Sequence, residues 1–508
     1  MQIEVIIEKK LHKLNAEEGK TILETLQEHG IHVLTAPCGG RGRCGKCTVE
    51  VEHMGEVLAC MTKVTDGMRI TIPKVQLRAQ KSKIAENGTV THYPADDGEG
   101  LDAACDIGTT TVVCHLIDGK TGEKLATVSE PSAQRSFGAD VLSRIQAAEA
   151  GKLEILKEQI IFQIAQMLRT LQKKTGRGEQ IQRLAVVGNT VMCHLFAGIS
   201  PVSIGVTPFM PQEFFGKEYT GEQLGLTDCR SVYIAPAVAG FVGGDITSDL
   251  LAVMQKNPKE KVLLLDIGTN GEMAVGNEEQ IYCCATAVGS AFEGAEMAMG
   301  MPAAAGAISH VWLDQRRIRV QVIGDEEACG ICGSGLIDAL AVILEMGLLD
   351  HTGLLKQKQS VSVAYRKYLG EYAGQPCVWL AHKVCVTQED IRGLQLAKAA
   401  FAAGMRILLQ DSHTSYEQLD HVILAGGFGS YLKKESAAAI GLIPKELLPI
   451  TESVGNAAGE GAVSAAISKK AREQLSIIQK SMHYIELSTH PDFSQEYMNQ
   501  MDFDGSER

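Results

Sequence analysis

Four cysteines near the start of the chain constrain its fold more than any other feature. Three lie in one glycine-rich loop, APCGGRGRCGKC, with the spacing Cys38-x5-Cys44-x2-Cys47, and Cys60 follows once a short hairpin has turned near His53. The intervening glycines let the backbone curl around a centre and aim N–H groups at sulfur. Four thiolates brought together in this way predict an iron–sulfur cluster with Cys38, Cys44, Cys47 and Cys60 as its ligands.

A structural zinc site is the alternative for four clustered cysteines. Zinc ribbons use paired short spacings, whereas three of the cysteines here crowd one loop. The loop resembles those of plant-type and vertebrate-type [2Fe-2S] ferredoxins, with one residue more than the plant spacing between Cys38 and Cys44. Cys60 comes much sooner than the fourth cysteine of those ferredoxins, so it is the ligand that the resemblance supports least.

The charge balance limits the partners of the chain. In 508 residues, 48 lysines and arginines stand against 61 aspartates and glutamates, which gives a formal net charge of -13. This balance repels phosphate backbones, and the sequence has no basic stripe suited to DNA or RNA. Nucleic acid is therefore not an expected partner. The length predicts two or three domains, each with its own core.

The sequence carries no signal for export or membrane insertion. It opens with MQIEVIIEKK, which alternates apolar and polar residues like a strand and lacks the apolar block of a signal peptide. Asp338 and Glu345 interrupt the longest apolar helical stretch, so it falls short of the ~18 apolar residues that a spanning helix needs. We expect a cytoplasmic protein, in which the 14 cysteines stay reduced or bind metal.

Hydrophobic periodicity divides the chain into a small domain and a long α/β region. Residues 1–75 show a strand, a helix, a hairpin and a closing strand. Residues 76–100 lack a sustained period, which predicts a linker. Apolar strands then alternate with helical segments, which predicts two lobes at residues 101–250 and 251–482. Residues 483–508 are expected to form a C-terminal extension, with a short amphipathic segment and a frayed end.

Two strands of this region end in nearly the same sequence. Asp106-Ile-Gly-Thr-Thr-Thr and Asp266-Ile-Gly-Thr-Asn-Gly each place a carboxylate beside a tight turn. The N–H groups and hydroxyls of such a turn can hold phosphate, and the aspartate can hold hydrated Mg²⁺. A third glycine-rich turn, AGGFGS, follows the strand at residues 421–425. Any one of these sequences could form an ordinary turn that binds no ligand. The prediction of a phosphate site therefore rests on the three turns together.

Together the three turns resemble the phosphate and adenosine loops of the actin, sugar-kinase and heat-shock-chaperone ATPase fold. By that resemblance Asp106 and Asp266 would be the catalytic carboxylates. The residues implied to bind ATP are Thr109, Thr110, Thr111, Gly268, Thr269, Asn270, Gly271, Gly426, Gly427, Phe428 and Gly429. Neither a Walker-type GxxxxGK[ST] nor a GxGxxG after a strand occurs at these positions, which argues against the commoner nucleotide folds.

Three further segments carry weaker signals. Asp245 ends the sequence GFVGGD and could approach the same cleft, although helix capping explains an aspartate there equally well. Gly455 and Asn456 open another helix in the same way. Cys329 and Cys332 form a single CxxC pair, for which close packing is the plainer explanation and a thiol–disulfide or second-cluster role is the alternative.

The combination resembles the reductive activators of corrinoid proteins, which join a ferredoxin-like domain to this ATPase fold. The resemblance covers nearly the whole chain. Its matching stretches are CGGRGRCGKC, LAC at 58–60, DIGTTTV at 106–112, FGADVLSRI at 137–145, VVGNTVMCHL at 186–195, DIGTNGE at 266–272, FEGAEM at 292–297, GICGSGLID at 330–338, DIRGLQLAKAA at 390–400, ILAGGFGSYL at 423–432, IGLIP at 440–444 and YIELS at 484–488. Better-known relatives carry an extra segment between the two domains, which this sequence lacks.

The resemblance implies both a fold and a function. The fold would be an N-terminal α+β ferredoxin-like (β-grasp) domain followed by a two-lobed α/β ATPase of the actin/sugar-kinase superfamily. With ATP and Mg²⁺, the protein would transfer one electron from a [2Fe-2S] cluster to inactive Co(II) of a partner corrinoid protein, restoring Co(I) for methyl transfer. A ferredoxin or flavodoxin would supply the electron, and relatives of this kind also form homodimers. The sequence has no DxHxxG cobalamin motif, so the corrinoid should belong to the partner.

Other functions fit parts of the same pattern. A redox-sensing small-molecule kinase would need a substrate base near the phosphates, and the sequence identifies none. An ATP-dependent activator of another metalloenzyme, such as a radical dehydratase, shares the ATPase fold, but those activators hold a [4Fe-4S] cluster and lack this N-terminal domain. A nucleotide-gated binding module without enzymatic activity is a further alternative. ATP hydrolysis measured with and without a corrinoid protein separates these classes.

Overall fold

The computed structural model describes residues 1–73, 87–90, 92–289, 292, 297–324, 326–429 and 431–503. At the N-terminus one helix packs on a five-stranded sheet with the order β2-β1-β5-β3-β4. The elements are β1 Gln2–Ile7, β2 Lys10–Asn15, α1 Ile22–Glu28, β3 Thr48–Val51, β4 Gly55–Leu58 and β5 Arg69–Thr71. This arrangement is the predicted ferredoxin-like α+β domain.

Local sequence explains most of this small domain. Thr21 caps α1 in a capping box with Glu24, and α1 buries its apolar face against the sheet. The sequence predicts a single first strand over residues 2–9, but the chain turns at Glu8 and Lys9, which have φ angles of 47° and 69°. Periodicity does not reveal β2, because its residues are mostly exposed and show no apolar alternation.

Beyond residue 100 the chain forms two lobes, each built on a six-stranded sheet. The first lobe has the sheet order β10-β11-β9-β6-β7-β8. Its elements are β6 Leu101–Ile107, β7 Thr111–Asp118, β8 Lys124–Pro131, α2 Val141–Ala147, α3 Leu153–Thr175, β9 Ile181–Val187, α4 Thr190–Ala197, β10 Lys217–Thr220, α5 Gly221–Leu224, β11 Cys229–Ile234 and α6 Gly244–Met254. The lobe boundary expected at residue 250 therefore lies inside α6.

The second lobe has the sheet order β22-β21-β12-β13-β14-β23, and the three-stranded sheets β16-β15-β17 and β18-β19-β20 lie beside it. Its elements are β12 Val262–Ile267, β13 Gly271–Gly276, β14 Ile281–Thr286, β15 Ala307–Asp314, β16 Arg317–Val322, β17 Gly330–Ile331, α7 Gly333–Glu345, β18 Leu369–Tyr372, β19 Gln375–Ala381, β20 Val384–Thr387, α8 Gln388–Asp411, β21 His421–Ala425, α9 Gly426–Gly429, α10 Lys434–Ala439, β22 Thr451–Gly455, α11 Ala457–Ile467, α12 Lys469–Ser481, β23 Met482–Tyr484 and α13 Phe493–Asn499.

The two large sheets repeat one topology. In each, the first strand pairs antiparallel with the second, and the second pairs antiparallel with the third. On its other side the first strand pairs parallel with a fourth, which pairs parallel with a fifth. The first strands are β6 and β12, so Asp106 and Asp266 occupy equivalent positions near the ends of their strands. The predicted two-lobed fold of the actin and sugar-kinase type is confirmed.

A close helix crossing joins the two lobes. Helix α6 of the first lobe meets α11 of the second at Gly461, where a Cβ would lie 2.3 Å from the carbonyl oxygen of Ser248. Apolar residues of both helices, including Leu250 and Val463, share one buried cluster with strands of both sheets. Contact this close requires a residue without a side chain, so the two lobes meet backbone to backbone.

The described part of the predicted linker lies on the second lobe. The Thr89 N–H donates to the Val454 carbonyl at 2.9 Å, and the Gly88 N–H donates to the buried Glu460 carboxylate at 2.6 Å. Lys124 of the first lobe also binds Glu460, at 2.8 Å. Residues 87–90 therefore lie at the junction of the lobes. Residues 74–86 and 91 lie outside the described residues. Of these, residues 76–86 and 91 belong to the predicted linker.

The C-terminal extension begins inside β23 and packs its far end on α8. Phe503, the last described residue, is only 2% exposed, and the predicted frayed end beyond it is not tested. The buried ammonium of Lys398 on α8 donates to the Gln500 carbonyl at 2.5 Å and to the Asp502 carbonyl at 2.7 Å. Residues 504–508 lie outside the described residues. No helix in the described part of the chain has the length and apolar character needed to cross a membrane.

Candidate functional site

The predicted ligand cysteines lie together as two pairs. The sulfurs of Cys38 and Cys44 are 3.4 Å apart, and those of Cys47 and Cys60 are 3.3 Å apart. Cys47 and Cys60 are buried, whereas the first pair is half-buried. The short hairpin of β3 and β4 returns the chain to the loop, because the Ala59 N–H donates to the Cys47 carbonyl at 2.9 Å. The early position of Cys60 in the sequence is therefore compatible with a common site.

This pairing bears on which metal centre the cysteines fit. A [2Fe-2S] cluster takes two protein ligands on each iron, whereas structural zinc takes four ligands around one ion. Across the described residues, no group of three or more histidine, cysteine or carboxylate side chains is placed to hold a single metal ion. Each pair, Cys38 with Cys44 and Cys47 with Cys60, brings two sulfurs close together.

The backbone of the cluster loop, residues 38–47, directs N–H groups at sulfur. Burial raises the pKa of the Cys38 thiol, but hydrogen bonds from the backbone of Cys44, Arg43 and Arg41 outweigh it, and the pKa falls to about 7. Burial raises the pKa of the Cys47 thiol to about 12, although a backbone hydrogen bond from Cys60 acts to lower it. Metal ligation requires thiolates, so the surroundings of Cys38 favour the ligating form more than those of Cys47 do.

One side of the cluster loop packs against the first lobe. The Ala139 N–H donates to the carbonyl of Pro37, next to Cys38, at 3.1 Å. A Cβ on Gly39 would lie 3.2 Å from the Phe137 carbonyl oxygen and 3.7 Å from Cβ of Ser143. The FGADVLSRI stretch singled out in the sequence therefore packs directly against the loop.

The other side of the cluster loop is bound to the second lobe. Lys46, between Cys44 and Cys47, donates to the Met297 carbonyl at 2.9 Å and to the Gly300 carbonyl at 3.3 Å. That segment is itself anchored to α8, because the Ala298 N–H donates to Asp390 at 2.8 Å. Both lobes therefore hold the loop. Of the FEGAEM stretch, residues 293–296 lie outside the described residues.

The first Asp-Gly-Thr turn is tied to its neighbours through Thr109 and Thr110. Asn189, which caps α4, donates its Nδ2 to Thr109 Oγ1 at 3.0 Å. The fully buried Arg144 donates to the Thr109 carbonyl, and the Ser132 N–H donates to the Thr110 carbonyl at 2.9 Å. The carbonyls are thus fixed by protein, and the exposed Thr110 side chain is directed away from the core.

The second turn meets the first across the cleft. The Gly268 N–H donates to the Asn270 carbonyl at 3.0 Å and closes the turn. The hydroxyl oxygens of Thr269 and Thr110, one from each lobe, lie 3.4 Å apart. The two turns therefore face each other across the cleft.

Both turns lead directly into the second strand of their lobe, which begins at Thr111 in one lobe and at Gly271 in the other. A Cβ on Gly271 would lie 2.6 Å from the Phe401 ring of α8. Packing therefore requires glycine at this position, in addition to any contact with phosphate.

The third glycine-rich turn lies against the second aspartate. Gly426 has a φ of +83°, and a Cβ there would lie 2.1 Å from Asp266 Oδ1. A Cβ on the exposed Gly427 would meet no atom within 4 Å. Gly426–Gly429 form the short helix α9, while the side chain of Phe428 and all of Ser430 lie outside the described residues. Gly426 therefore fills a closed position and Gly427 an open one.

Carboxylates crowd the space between the turns. Burial and the charge of Asp245 raise the pKa of Asp106 to about 7. Burial and the charges of Asp245 and Asp106 raise the pKa of Asp266 to about 7 as well. Burial raises the pKa of Asp245 itself to about 6. Burial and neighbouring carboxylates also raise the pKa values of Asp249 and Glu272 well above the ordinary range. A cation here would relieve this mutual repulsion.

Several of these residues do not stand out in the sequence as site residues. Asn456 caps α11 and donates its Nδ2 to Asp106 at 2.9 Å, so the weak signal at residues 455–458 marked a real neighbour. Gly188 and Asn189 follow the fourth strand of the first lobe as Gly426 and Gly427 follow that of the second, so alignment of the two halves would have found Asn189. Arg144 belongs to the FGADVLSRI stretch, but its residue type does not mark it as a site residue, because arginine on an amphipathic helix is ordinarily exposed.

The CxxC pair has a plainer role. Cys329 is exposed and Cys332 is buried. The Cys332 sulfur lies 3.4 Å from the Ile308 carbonyl, at the start of α7. The geometry favours close packing for Cys332 and does not place these two cysteines with the cluster ligands.

Three family descriptions match successive parts of the chain. The description "2Fe-2S iron-sulfur cluster binding domain" matches residues 11–74. The description "RACo middle region" matches residues 101–257, and "C-terminal domain of RACo the ASKHA domain" matches residues 260–508. The matched ranges follow the N-terminal domain and the two lobes.

Individual relatives share the same organisation over most of their length. The corrinoid activation enzyme RamQ of Eubacterium limosum is 30% identical over 92% of this chain and 93% of its own. A [Co(II) methylated amine-specific corrinoid protein] reductase of Methanosarcina barkeri is 26% identical over 67% of this chain and 65% of its own. A solved structure, a reductive activator for corrinoid, iron-sulfur protein, is 28% identical with a TM-score of 0.72 over 99% of both chains. The chain belongs to the family of reductive activators of corrinoid proteins.

Proposed function

We propose that this protein is an ATP-dependent reductive activator that passes one electron from its N-terminal domain to inactive Co(II) of a partner corrinoid protein, restoring Co(I) for methyl transfer. The observation that carries the proposal is the contact of the cluster loop with both lobes. Lys46 donates to carbonyls of the second lobe, and Gly39 packs against the first. The N-terminal domain is therefore packed against both of the lobes that form the nucleotide cleft. The relatives named above are called activators or reductases of corrinoid proteins.

The N-terminal site is proposed to hold a [2Fe-2S] cluster, with Cys38 and Cys44 on one iron and Cys47 and Cys60 on the other. When bound, such a cluster supplies single electrons. The chain contributes the hydrogen bonds at Cys38, the hairpin that returns Cys60, and the burial of the second pair. A ferredoxin or flavodoxin in the cytoplasm is the proposed electron donor.

The cleft is proposed to hold ATP with Mg²⁺. The N–H groups and hydroxyls of the two threonine turns would bind the phosphates, and the open side of Gly427 leaves room for the nucleoside. Asp106 and Asp266 would hold Mg²⁺ through its water shell. The raised pKa values of these carboxylates support the proposal, because they reflect a site where negative charges repel one another.

ATP has a physical task in this scheme. Co(I) is strongly reducing, and an uphill gap of roughly 200 mV corresponds to about 5 kcal/mol for one electron. Closure of the lobes on nucleotide would favour the partner state that accepts an electron, because binding free energy can shift an equilibrium between two states. In this division residues 1–75 carry the electron, residues 76–100 connect, and residues 101–250 and 251–482 bind nucleotide. A homodimer is the proposed assembly.

The visible spectrum of an oxidised corrinoid protein tests the proposal. Co(I) should form under anaerobic conditions when this protein, reductant and ATP are all present, and omission of any one should prevent it. Cys44→Ser should abolish the reduction and retain ATP binding, while Asp266→Ala should retain the cluster and lose ATP binding. Cys329→Ser changes an exposed thiol that is not one of the four predicted ligands and serves as the matched control. Failure with every candidate corrinoid protein, or identical losses in both site variants, contradicts the proposal.

A further inference from the structure

One segment of the first lobe contacts both the cluster loop and the first threonine turn. This bridging segment, residues 132–147, contains a short 3₁₀ turn at Ala133–Phe137 and helix α2. At its start, the Ser132 N–H donates to the Thr110 carbonyl at 2.9 Å. Near its end, Arg144 donates to the Thr109 carbonyl. Both ends of the bridging segment are therefore fixed to the turn proposed to bind phosphate.

The bridging segment also contacts the N-terminal domain at several points. The hydrogen bonds run from Gln27 Nε2 to the Ser136 carbonyl at 2.6 Å, from the Ala139 N–H to the Pro37 carbonyl at 3.1 Å, and from Arg41 to Gln146 Oε1. Two of these contacts are with residues adjacent to or inside the cluster loop. A displacement of the bridging segment would therefore reach the loop directly.

Arg144 connects the two sides of the bridging segment. Its side chain is fully buried. Besides the Thr109 carbonyl, its guanidinium reaches the Gly138 carbonyl at 3.4 Å and the Met192 sulfur at 2.8 Å. A planar guanidinium has its donors in fixed directions, so a shift of Thr109 must either move Gly138 or break one of these bonds. Gly138 stands next to Ala139, which binds Pro37.

The structure leaves space for the cluster loop to move. A cavity of about 220 Å³ lies between the bridging segment and the N-terminal domain, and its walls include Gly40, Cys60, Ser143 and Lys152. Hydrogen bonds to the sulfurs and exposure to solvent both set the potential of an iron–sulfur centre. Movement of the loop into or away from this cavity would change both.

We infer that Arg144 is a positioning residue that couples the two sites, so that nucleotide bound at Thr109 and Thr110 shifts the reduction potential of the cluster through the bridging segment. The inference rests on the proposed function. Coupling between two bound states is reciprocal, so reduction of the cluster must change nucleotide affinity by the same factor. A tenfold affinity ratio between reduced and oxidised protein corresponds to a shift of 59 mV for one electron.

Redox titration of the full-length, cluster-loaded protein tests the inference. The potential is measured by visible absorbance with and without a non-hydrolysable ATP analogue and Mg²⁺, and analogue affinity is measured separately for oxidised and reduced protein. We expect a shifted potential and a matching affinity ratio. Arg144→Gln should bring the ratio to one. Because that arginine is buried, Gln146→Ala provides a second variant at the exposed end of the same path, and it should lower the ratio at least twofold. Arg169→Gln, an exposed arginine paired with Asp228, is the control.

The possible outcomes distinguish the coupling inference from the proposed function. An unchanged potential in protein that holds both cluster and analogue overturns the inference and leaves the proposed function intact. Absence of analogue binding or of iron overturns both. A shift that persists at full size in Arg144→Gln and in Gln146→Ala overturns the role of Arg144 and of the bridging segment.

Discussion

The hydroxyl oxygens of Thr110 and Thr269 lie 3.4 Å apart, although 159 residues separate them in the chain. Thr269 ends the Asp-Ile-Gly-Thr sequence of the second lobe, and Thr110 directly follows that of the first lobe. The two turns therefore face each other at a distance that one ligand group can span. A phosphate held at this point would contact both lobes at once.

Removal of either hydroxyl should weaken nucleotide binding. A hydrogen bond to a charged group contributes about 1.5–3 kcal/mol, so Thr110→Ala and Thr269→Ala should each lower affinity for an ATP analogue by at least ~10-fold. Because the hydroxyls contact each other, the double variant should lose less than the product of the single losses. Equilibrium binding of a fluorescent analogue measures this. The exposed Thr227→Ala is the control, and unchanged affinity in both single variants contradicts the prediction.

The adjacent glycines Gly426 and Gly427 should respond differently to the same substitution. A Cβ at Gly426 would collide with Asp266 Oδ1, and its φ of +83° is unfavourable for alanine. Gly426→Ala should therefore lower stability by about 1–3 kcal/mol and also disturb the Asp266 carboxylate. Gly427→Ala meets open space and should leave the melting temperature unchanged, while lowering nucleotide affinity if the nucleoside lies against it. Equal destabilisation by the two variants would contradict this assignment.

The cysteine loop and the three glycine-rich turns can be located in the sequence because their signals are local. A glycine-rich cysteine loop and a carboxylate beside a Gly-Thr turn each require specific residues within about ten positions of one another. The duplication also shows in the sequence, because Asp106 and Asp266 begin nearly identical hexapeptides. Strand β2 shows the opposite case, since an exposed strand needs no apolar alternation.

The connections between sites are not predictable from the chain alone. Arg144 lies in an amphipathic stretch where arginine is normally solvated, and only the packing of α2 on the threonine turn buries it. Asp249 lies one helical turn beyond Asp245 inside α6. No local pattern distinguishes it from an ordinary polar residue of a helix. The contacts of Lys46 join residues that are 251 and 254 positions apart. No local pattern encodes such distances, because tertiary packing alone sets them.

Substitution of Gly461 should separate the crossing helices of the two lobes. A Cβ there would lie 2.3 Å from the Ser248 carbonyl oxygen, so Gly461→Ala forces α6 and α11 apart. Overpacking of this kind costs about 1–3 kcal/mol, and we expect a lower melting temperature together with weaker nucleotide binding. Gly178→Ala is the matched control, because a Cβ there meets nothing within 4 Å. Unchanged stability in Gly461→Ala would show that the crossing tolerates a side chain.

Docking of the N-terminal domain should weaken in acid. Burial and then the charge of Arg135 lower the pKa of His32 to about 4, and the ring lies 3.3 Å from the Ser136 hydroxyl of the bridging segment. The docked state therefore holds neutral His32. Its contribution is fully present above pH ~6.5, the ordinary value, and is lost as the pH falls from 6.5 towards 4, by up to about 3 kcal/mol.

Hydrogen-exchange protection of the Ala139 N–H, which donates to Pro37, measures this docking across the pH range. Protection should fall between pH 6.5 and 4 in the native chain, and His32→Asn should flatten the profile. His12→Asn changes an exposed histidine on β2 and should leave the profile unaltered. A profile that stays the same in His32→Asn would assign the acid sensitivity to another group.

The C-terminal tail should stabilise the second lobe through Lys398. Its ammonium, buried at 1% exposure, donates to the Gln500 and Asp502 carbonyls and lies 5.1 Å from the centre of the Phe503 ring. Deletion of residues 500–508 would remove these two carbonyls from the ammonium and expose the apolar surface that Phe503 covers. We expect a loss of about 3–5 kcal/mol, because removing partners of a buried charge is strongly destabilising. Lys398→Met in the shortened chain should recover part of the loss, since it removes the buried charge, and the melting temperatures of the native chain, the shortened chain and the shortened Lys398→Met chain distinguish these results. Equal melting temperatures for the native and the shortened chain would contradict a stabilising role for the tail.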